Sequence, residues 1–141
     1  MRNKLLLLFL PCMFMQTLRA TSIAYLALEN KRIARAYYTA MAEKNIAGLE
    51  KFLDEDVEFI APLATVCGKE LFLERVREFF ATRATITIRS AFGSYDQGVV
   101  VFSLEYPQPI GRVEAAALLN IEDGLITKIE LFYDGRLFEN K

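Results

Sequence analysis

A chain of 141 residues with 53% apolar content fits one globular domain, large enough to bury roughly two thirds of the surface its unfolded form would expose. Its 17 basic and 18 acidic residues leave a net charge of −1 without a Lys/Arg cluster, which argues against nucleic acid, since that binding rests on phosphate neutralisation. With no histidine and only two cysteines, a zinc site lacks its usual ligands.

The first 22 residues stand apart. Arg2 and Lys4 precede the apolar run Leu5 to Met15, and small residues follow at Ala20 and Ser22, the charge, apolar core and cleavage-site order of a secretory signal. The expected organisation is a signal peptide over 1–22 and one domain over 23–141, exported to the periplasm or secreted. Translation from Met13 or Met15 is the alternative, giving a cytoplasmic protein. The apolar run is too short for a bilayer, which takes about 20 residues, and Pro11 before Cys12 disfavours a lipid anchor, so no stable membrane anchor is expected. Removal of 1–22 takes Arg2, Lys4 and Arg19 and shifts the net charge from −1 to −4. Cys67 then has no internal partner and reads as a buried thiol.

From Glu29 to Glu43 the residues Ile33, Ala36, Tyr37, Ala40 and Met41 recur at helical spacing. Asn45 is placed to cap a shorter helix with Ile46, Leu49, Phe52 and Leu53 on its buried side. A strand over 56–61 ends at Pro62, and a loop leads to Gly68. A third helix over 69–82 puts Phe72, Val76, Phe79 and Phe80 on one face. From Thr85 the period becomes two, with Ile86, Ile88, Ser90 and Phe92 on one side of a strand. Further strands are expected over 99–106, 112–121 and 125–133, the last two joined at Glu122-Asp123-Gly124. Helices first and a meander of strands after them give an α+β class.

The strand over 112–121 has two unlike faces. Val113, Ala115, Ala117, Leu119 and Ile121 are unbroken hydrocarbon, whereas Arg112, Glu114, Ala116, Leu118 and Asn120 are mixed. A sheet with one wet face alternates apolar with polar, so the hydrocarbon set requires cover by helices or by another chain.

The order of elements, with "ARAYYTAMAEKN", "LDEDVEF" before Pro62, "GKE" at 68–70 and "IEDGLITKIELFYD" at 121–134, resembles the nuclear transport factor 2-like superfamily, and within it the SnoaL-like domains, which are similar to ketosteroid isomerases and polyketide cyclases. The resemblance spans about Glu29 to Asp134. It implies a cone-shaped, strongly curved antiparallel or mixed sheet packed against three helices, a mostly apolar pocket, and a homodimer joined through the outer sheet face. On that basis Val113, Ala115, Ala117, Leu119 and Ile121 are expected at the dimer interface.

The same resemblance sets the expected site. The oxyanion-binding tyrosine of the ketosteroid isomerases falls on Tyr37, their proton-shuttling aspartate on Ala61, and their second oxyanion donor on Ala116. The base of the similar limonene-epoxide hydrolases falls on Leu131. Methyl and isobutyl groups accept no proton, so neither inherited route is available, and the histidine-dependent cyclases of the superfamily lack their base here. Phe59, Ala61, Ala116, Leu118, Leu131 and Tyr133 are expected to line the pocket, with Glu114 as a candidate acid or base and Tyr37 as its hydrogen-bond partner. Glu114 reads equally as a rim residue paired with Arg112, and Tyr37 as a core residue on a helix stripe. The facing of Glu105 is open, and Asp134 reads as a cap at the strand exit. The acidic run Asp54, Glu55, Asp56 and Glu58 lacks the alternating ligands and glycine of a calcium loop, and no phosphate loop or dinucleotide fingerprint is present. No cofactor or metal is expected. The partner implied is a small apolar molecule. Three functions follow: a binding protein for such a molecule, an isomerase, cyclase or hydrolase using Glu114 and Tyr37, or a protein-binding dimer with a filled pocket.

Overall fold

The computed structural model describes residues 6–139. The expected leader begins outside these residues, and its remainder is continuous with the first helix, α1, which runs unbroken over Leu6–Ala42. At 37 residues α1 is roughly 55 Å long at about 1.5 Å per residue. Its carboxyl-terminal half carries the buried stripe Ile33, Ala34, Tyr37, Tyr38 and Ala40, while Ile23, Tyr25, Leu26 and Leu28 are exposed. The stripe includes Ala34 and Tyr38 beyond the residues expected from helical spacing: Ala34 lies against Gly98, and Tyr38 packs on Phe102 at 4.6 Å between ring centroids.

Helix α2 (Ile46–Glu50) starts where Asn45 accepts a hydrogen bond from the Gly48 amide at 2.9 Å. Strand β1 (Leu53–Ala61) turns at Pro62 into a short strand, β2 (Ala64–Cys67), where the sequence pattern gave a loop. Helix α3 (Lys69–Ala81) buries Phe72, Leu73 and Val76. Strands β3 (Thr85–Gly93), β4 (Gln97–Glu105), β5 (Arg112–Glu122) and β6 (Leu125–Tyr133) follow, and a 3-10 turn over Gly135–Phe138 ends the described chain. Among the described residues no helix is long and apolar enough to cross a membrane.

The strands form one curved six-stranded sheet in the order β2-β1-β6-β5-β4-β3, antiparallel except where β1 runs parallel to β6. Together with the helices this is the expected α+β cone with a mixed sheet. The β5–β6 hairpin turns on Asp123 (φ 50°) and Gly124 (φ 78°), the two positive φ values that a two-residue turn of matching twist needs. Gly98 serves packing rather than the turn. A Cβ there would stand 2.6 Å from the Ala34 Cβ and 3.0 Å from the Asn30 carbonyl, so only glycine lets α1 lie against β4. Buried Asn30 ties the same contact by donating to the Ser94 carbonyl at 3.0 Å.

Two one-residue bulges control which side chains face the helices. In β3, Ile88 opposes Phe102 but Ser90 opposes Val101, so Arg89 is extra. The alternation shifts there, and Ala91 is buried while Phe92 is exposed, the reverse of the simple period-two reading. In β6, Ile126 opposes Ile121 but Lys128 opposes Asn120, so Thr127 is extra. Without that residue Leu131 would oppose Ala116 and Tyr133 would oppose Glu114. With it, Leu131 opposes Ala117 and Tyr133 opposes Ala115.

The bulge at Thr127 overturns the expected facing of β5. Val113, Ala115, Ala117, Leu119 and Ile121 are not on the outer face and form no surface for a second chain. They are buried in the core of this one, in one cluster with Ile33, Tyr37 and Val76 of the helices and with Val100, Phe102 and Leu104. Of the two covers that a hydrocarbon face requires, the helices supply it. Cys67 also departs from expectation: its thiol is free and exposed on edge strand β2.

Candidate functional site

The open end of the cone encloses a cavity of about 630 Å³ between α1, α3 and the concave face of the sheet. Small-molecule sites typically occupy about 300–1,000 Å³. Phe59 and Ala61 reach it from β1, Leu131 and Tyr133 from β6, and Tyr37 from α1. Four side chains that the sequence reading did not assign to the cavity complete much of its wall: Phe79 from α3, Ile86 from β3, Tyr106 after β4, and Phe138 from the 3-10 turn. Phe79 and Ile86 were on apolar stripes that the pattern showed. Phe138 follows the Asp134 cap, and no periodicity marks it.

Ala116, Leu118 and Glu114 lie on the opposite face of the sheet. Ala116 and Leu118 are half-buried among outer-face neighbours, and the Glu114 side chain is 51% exposed. Arg112 donates to Glu114 at 2.7 Å and Arg89 donates to it at 3.0 Å. The Arg112 hydrogen bond, followed by that of Arg89, holds the Glu114 carboxyl below its ordinary range. Glu114 is therefore a solvated, ionised member of a surface ion-pair ladder, and Tyr37 stands on the other side of the sheet from it. Glu105 belongs to the same ladder, accepting from Arg112 at 3.3 Å. The expected pairing of Glu114 and Tyr37 at one substrate is thus replaced by separation through the thickness of the sheet, again because of the extra residue at Thr127.

What polarity the cavity has comes mainly from phenols. Tyr37 is 1% exposed, and its hydroxyl makes no hydrogen bond among the described residues. Burial, then the neighbouring Tyr38, pushes the Tyr37 phenol well above its usual range. Tyr106 is pushed up to about 12 by burial and then by Tyr133, and burial raises Tyr133 as well. All three remain protonated near neutrality and can donate. Among the described residues the one charged side chain in the lining is Arg75, which is bound to Glu78 at 2.8 Å and is 62% exposed. No carboxylate lines the cavity among the described residues.

Asp134, Asp54 and Glu55 have structural roles. Asp134 accepts from the Arg136 amide at 3.1 Å and from its guanidinium at 2.7 and 2.8 Å, capping the 3-10 turn, and its carboxyl is lowered to about 2, first by the Arg136 side-chain bond. In the acidic run, Asp54 accepts from the Asp56 amide at 2.9 Å and Glu55 pairs with Lys69 at 2.9 Å.

A family model for the SnoaL-like domain matches residues 34–129, from the buried stripe of α1 to the middle of β6. The chain belongs to the SnoaL-like family. Among solved structures this SnoaL-like domain is similar to an NTF2-like protein of unknown function from Cytophaga hutchinsonii, with 20% identity and a TM-score of 0.67 over 77% of this chain and 95% of that one. It is similar to a candidate ketosteroid isomerase from Kribbella flavida, with 18% identity and a TM-score of 0.71 over 77% and 79% of the two chains. It is also similar to TerC co-crystallised with polyporic acid, with 20% identity and a TM-score of 0.68 over 78% and 95%. At these identities the likeness establishes the fold. No curated protein sequence matches the chain.

Proposed function

We propose that this SnoaL-like domain binds a small apolar molecule in its cone and performs no acid-base chemistry of the ketosteroid-isomerase or epoxide-hydrolase kind. One observation carries the reading: a cavity of about 630 Å³ whose lining holds tyrosine hydroxyls but no carboxylate. Ala61 and Leu131 occupy the wall where related catalysts place their bases, so a bound molecule meets hydrocarbon and phenol donors. The co-crystallisation of TerC with polyporic acid is in keeping with a small organic molecule as the class of ligand. A space of about 630 Å³ favours this reading over the filled-pocket alternative. The enzyme alternative loses its base, since Glu114 is outside. Thermal-shift screening against lipids, sterols and aromatic metabolites tests the proposal. Saturating ligand at a hundred times its Kd stabilises by about 2.7 kcal/mol, a rise in Tm readily read. A panel that leaves Tm unmoved overturns it.

For the partner, the outer face supports a homodimer, with residues other than those first expected. Val99 and Val101 lie opposite Leu118 and Ala116, and Phe132, 53% exposed, lies opposite Ala116. This apolar patch is bordered by the Arg89, Glu114 and Arg112 ion pairs. Sedimentation at micromolar concentration should give twice the chain mass, and Ala116→Asp should give a folded monomer; a wild-type monomer removes the dimer. For localisation we propose export with cleavage before Ile23. Amino-terminal sequencing of the protein from its native host tests this, and an intact cytoplasmic chain starting at Met13 or Met15 overturns it.

A further inference from the structure

The phenols of the cavity are not clustered at one point. Tyr37 is packed edge-on to Tyr38, with ring centroids 5.2 Å apart, and Tyr38 packs on Phe102 at 4.6 Å, so the Tyr37 ring stands beside the Tyr38–Phe102 pair. Tyr106 is four residues further along the chain from Phe102, roughly 13 Å at about 3.3 Å per residue. Tyr133 lies two strands across from Phe102 in the row Phe102–Ala115–Tyr133, roughly 10 Å away at about 4.8 Å per strand.

Tyr106 and Tyr133 nevertheless converge. Phe138 stands edge-on to both, with centroid separations of 5.4 Å to each and interplanar angles of 77° and 79°. Phe79 holds Tyr106 from a further side at 6.3 Å. Aromatic packing, and no hydrogen bond among the described residues, orients these two rings. Both hydroxyls are therefore left uncommitted beside the cavity they line. A donor held by packing alone, at the edge of an apolar hollow, is well placed to meet an acceptor that enters with a ligand.

Resting on the ligand-binding reading above, we propose that Tyr106 and Tyr133 form a second hydrogen-bonding subsite, and that the cone takes an elongated, uncharged apolar molecule with an acceptor oxygen at each end. One oxygen meets Tyr37 and the other meets the Tyr106–Tyr133 pair. Absence of charge follows from the lining: a cation finds no carboxylate, and the single cation, Arg75, is already bound to Glu78 and solvated. Length follows from the separation of the phenols.

The test uses four probes of one shape: 4,4′-diacetylbiphenyl, 4-acetylbiphenyl, biphenyl and biphenyl-4-carboxylate, with dissociation constants measured by calorimetry on the full-length mature protein. Each added ketone should tighten binding about fivefold, the worth of one net hydrogen bond. The double variant Tyr106→Phe/Tyr133→Phe should bind the diketone only as tightly as the monoketone and should leave biphenyl affinity unchanged, with Tm confirming that it folds. Tyr37→Phe should lower diketone affinity by a similar factor. A diketone that binds no tighter than biphenyl overturns the inference while leaving the ligand-binding reading intact, as does a diketone affinity untouched by the double variant. Tightest binding of the carboxylate overturns it in favour of Arg75. If none of the four binds, the inference falls, and the ligand-binding reading is decided by the thermal-shift panel.

Discussion

The two faces of the sheet are built from the same strands and do opposite things. On the concave face, β4, β5 and β6 present Val100, Phe102, Ala117, Leu119 and Ile129, all buried, and the polar groups there are neutral phenols. On the convex face stand Arg89 of β3, Glu105 of β4 and Arg112 and Glu114 of β5, joined by ion pairs in water. The charged groups that β3, β4 and β5 contribute to these ion pairs are thus on the side away from the cavity. A chain with as many carboxylates as a catalyst needs can still be without a base where it matters, because the pleat has a period of two and a shift of one residue exchanges the faces.

The sharpest way to break this contrast is to put the same charge on each face. Ala117→Asp buries a carboxylate with no partner and should destabilise by about 3–5 kcal/mol, or prevent folding, in a urea titration. Ala116→Asp, the adjacent residue, should cost under about 1 kcal/mol beyond the lost dimer contact. Equal costs would mean that the faces are wrongly assigned. Next in size is the contact that seats α1 on the concave face. Gly98→Ala forces its new methyl against the Ala34 Cβ and should cost about 1–3 kcal/mol in the same assay.

Alkaline pH sharpens the contrast from the concave side. Phenols in the unfolded chain ionise near pH 10, whereas folded Tyr106 keeps its proton to about 12 and Tyr37 beyond its usual range. Because the folded values are raised, their contribution is whole below pH 10 and is lost as pH rises through 12. Denaturation midpoints should therefore fall across that window, and Tyr106→Phe should make the fall shallower. The smallest effect belongs to the convex face. Glu114→Gln should leave the denaturation midpoint nearly where it is, as expected for an exposed ion pair, and should leave ligand affinity unchanged.

Much of the architecture could be read from the chain alone. The stripe of α3, the cap at Asn45 and the Asp123-Gly124 hairpin each have local chemistry that marks them, and each forms as the pattern requires. The site was only half legible. Phe59, Ala61, Leu131 and Tyr133 line the cavity, whereas Glu114, Ala116 and Leu118 do not, and a single extra residue, Thr127, separates the two outcomes. A bulge leaves no trace in composition: threonine suits a regular strand as well as a bulged one, so the face of β5 could not be fixed by counting from the hairpin. Arg89 hides its bulge in the same way. Strand β2 was missed because it is only four residues long and begins two residues after a proline. The Tyr106–Phe138 contact was missed because it joins residues brought together only by closure of the cone.

That closure has a temporal side. Strand β1 is among the first elements to leave the ribosome, yet it runs alongside β6, with Phe59 opposite Ile129, seventy positions later in the chain. The entropy of joining so distant a pair must be met before either strand gains from it. During vectorial synthesis the wall of Phe59 and Ala61 therefore waits, unpaired on one side, until nearly the whole polypeptide has emerged. The cavity is the last part of the molecule to come into being, and a premature stop anywhere before Tyr133 would leave helices and hairpins without an interior.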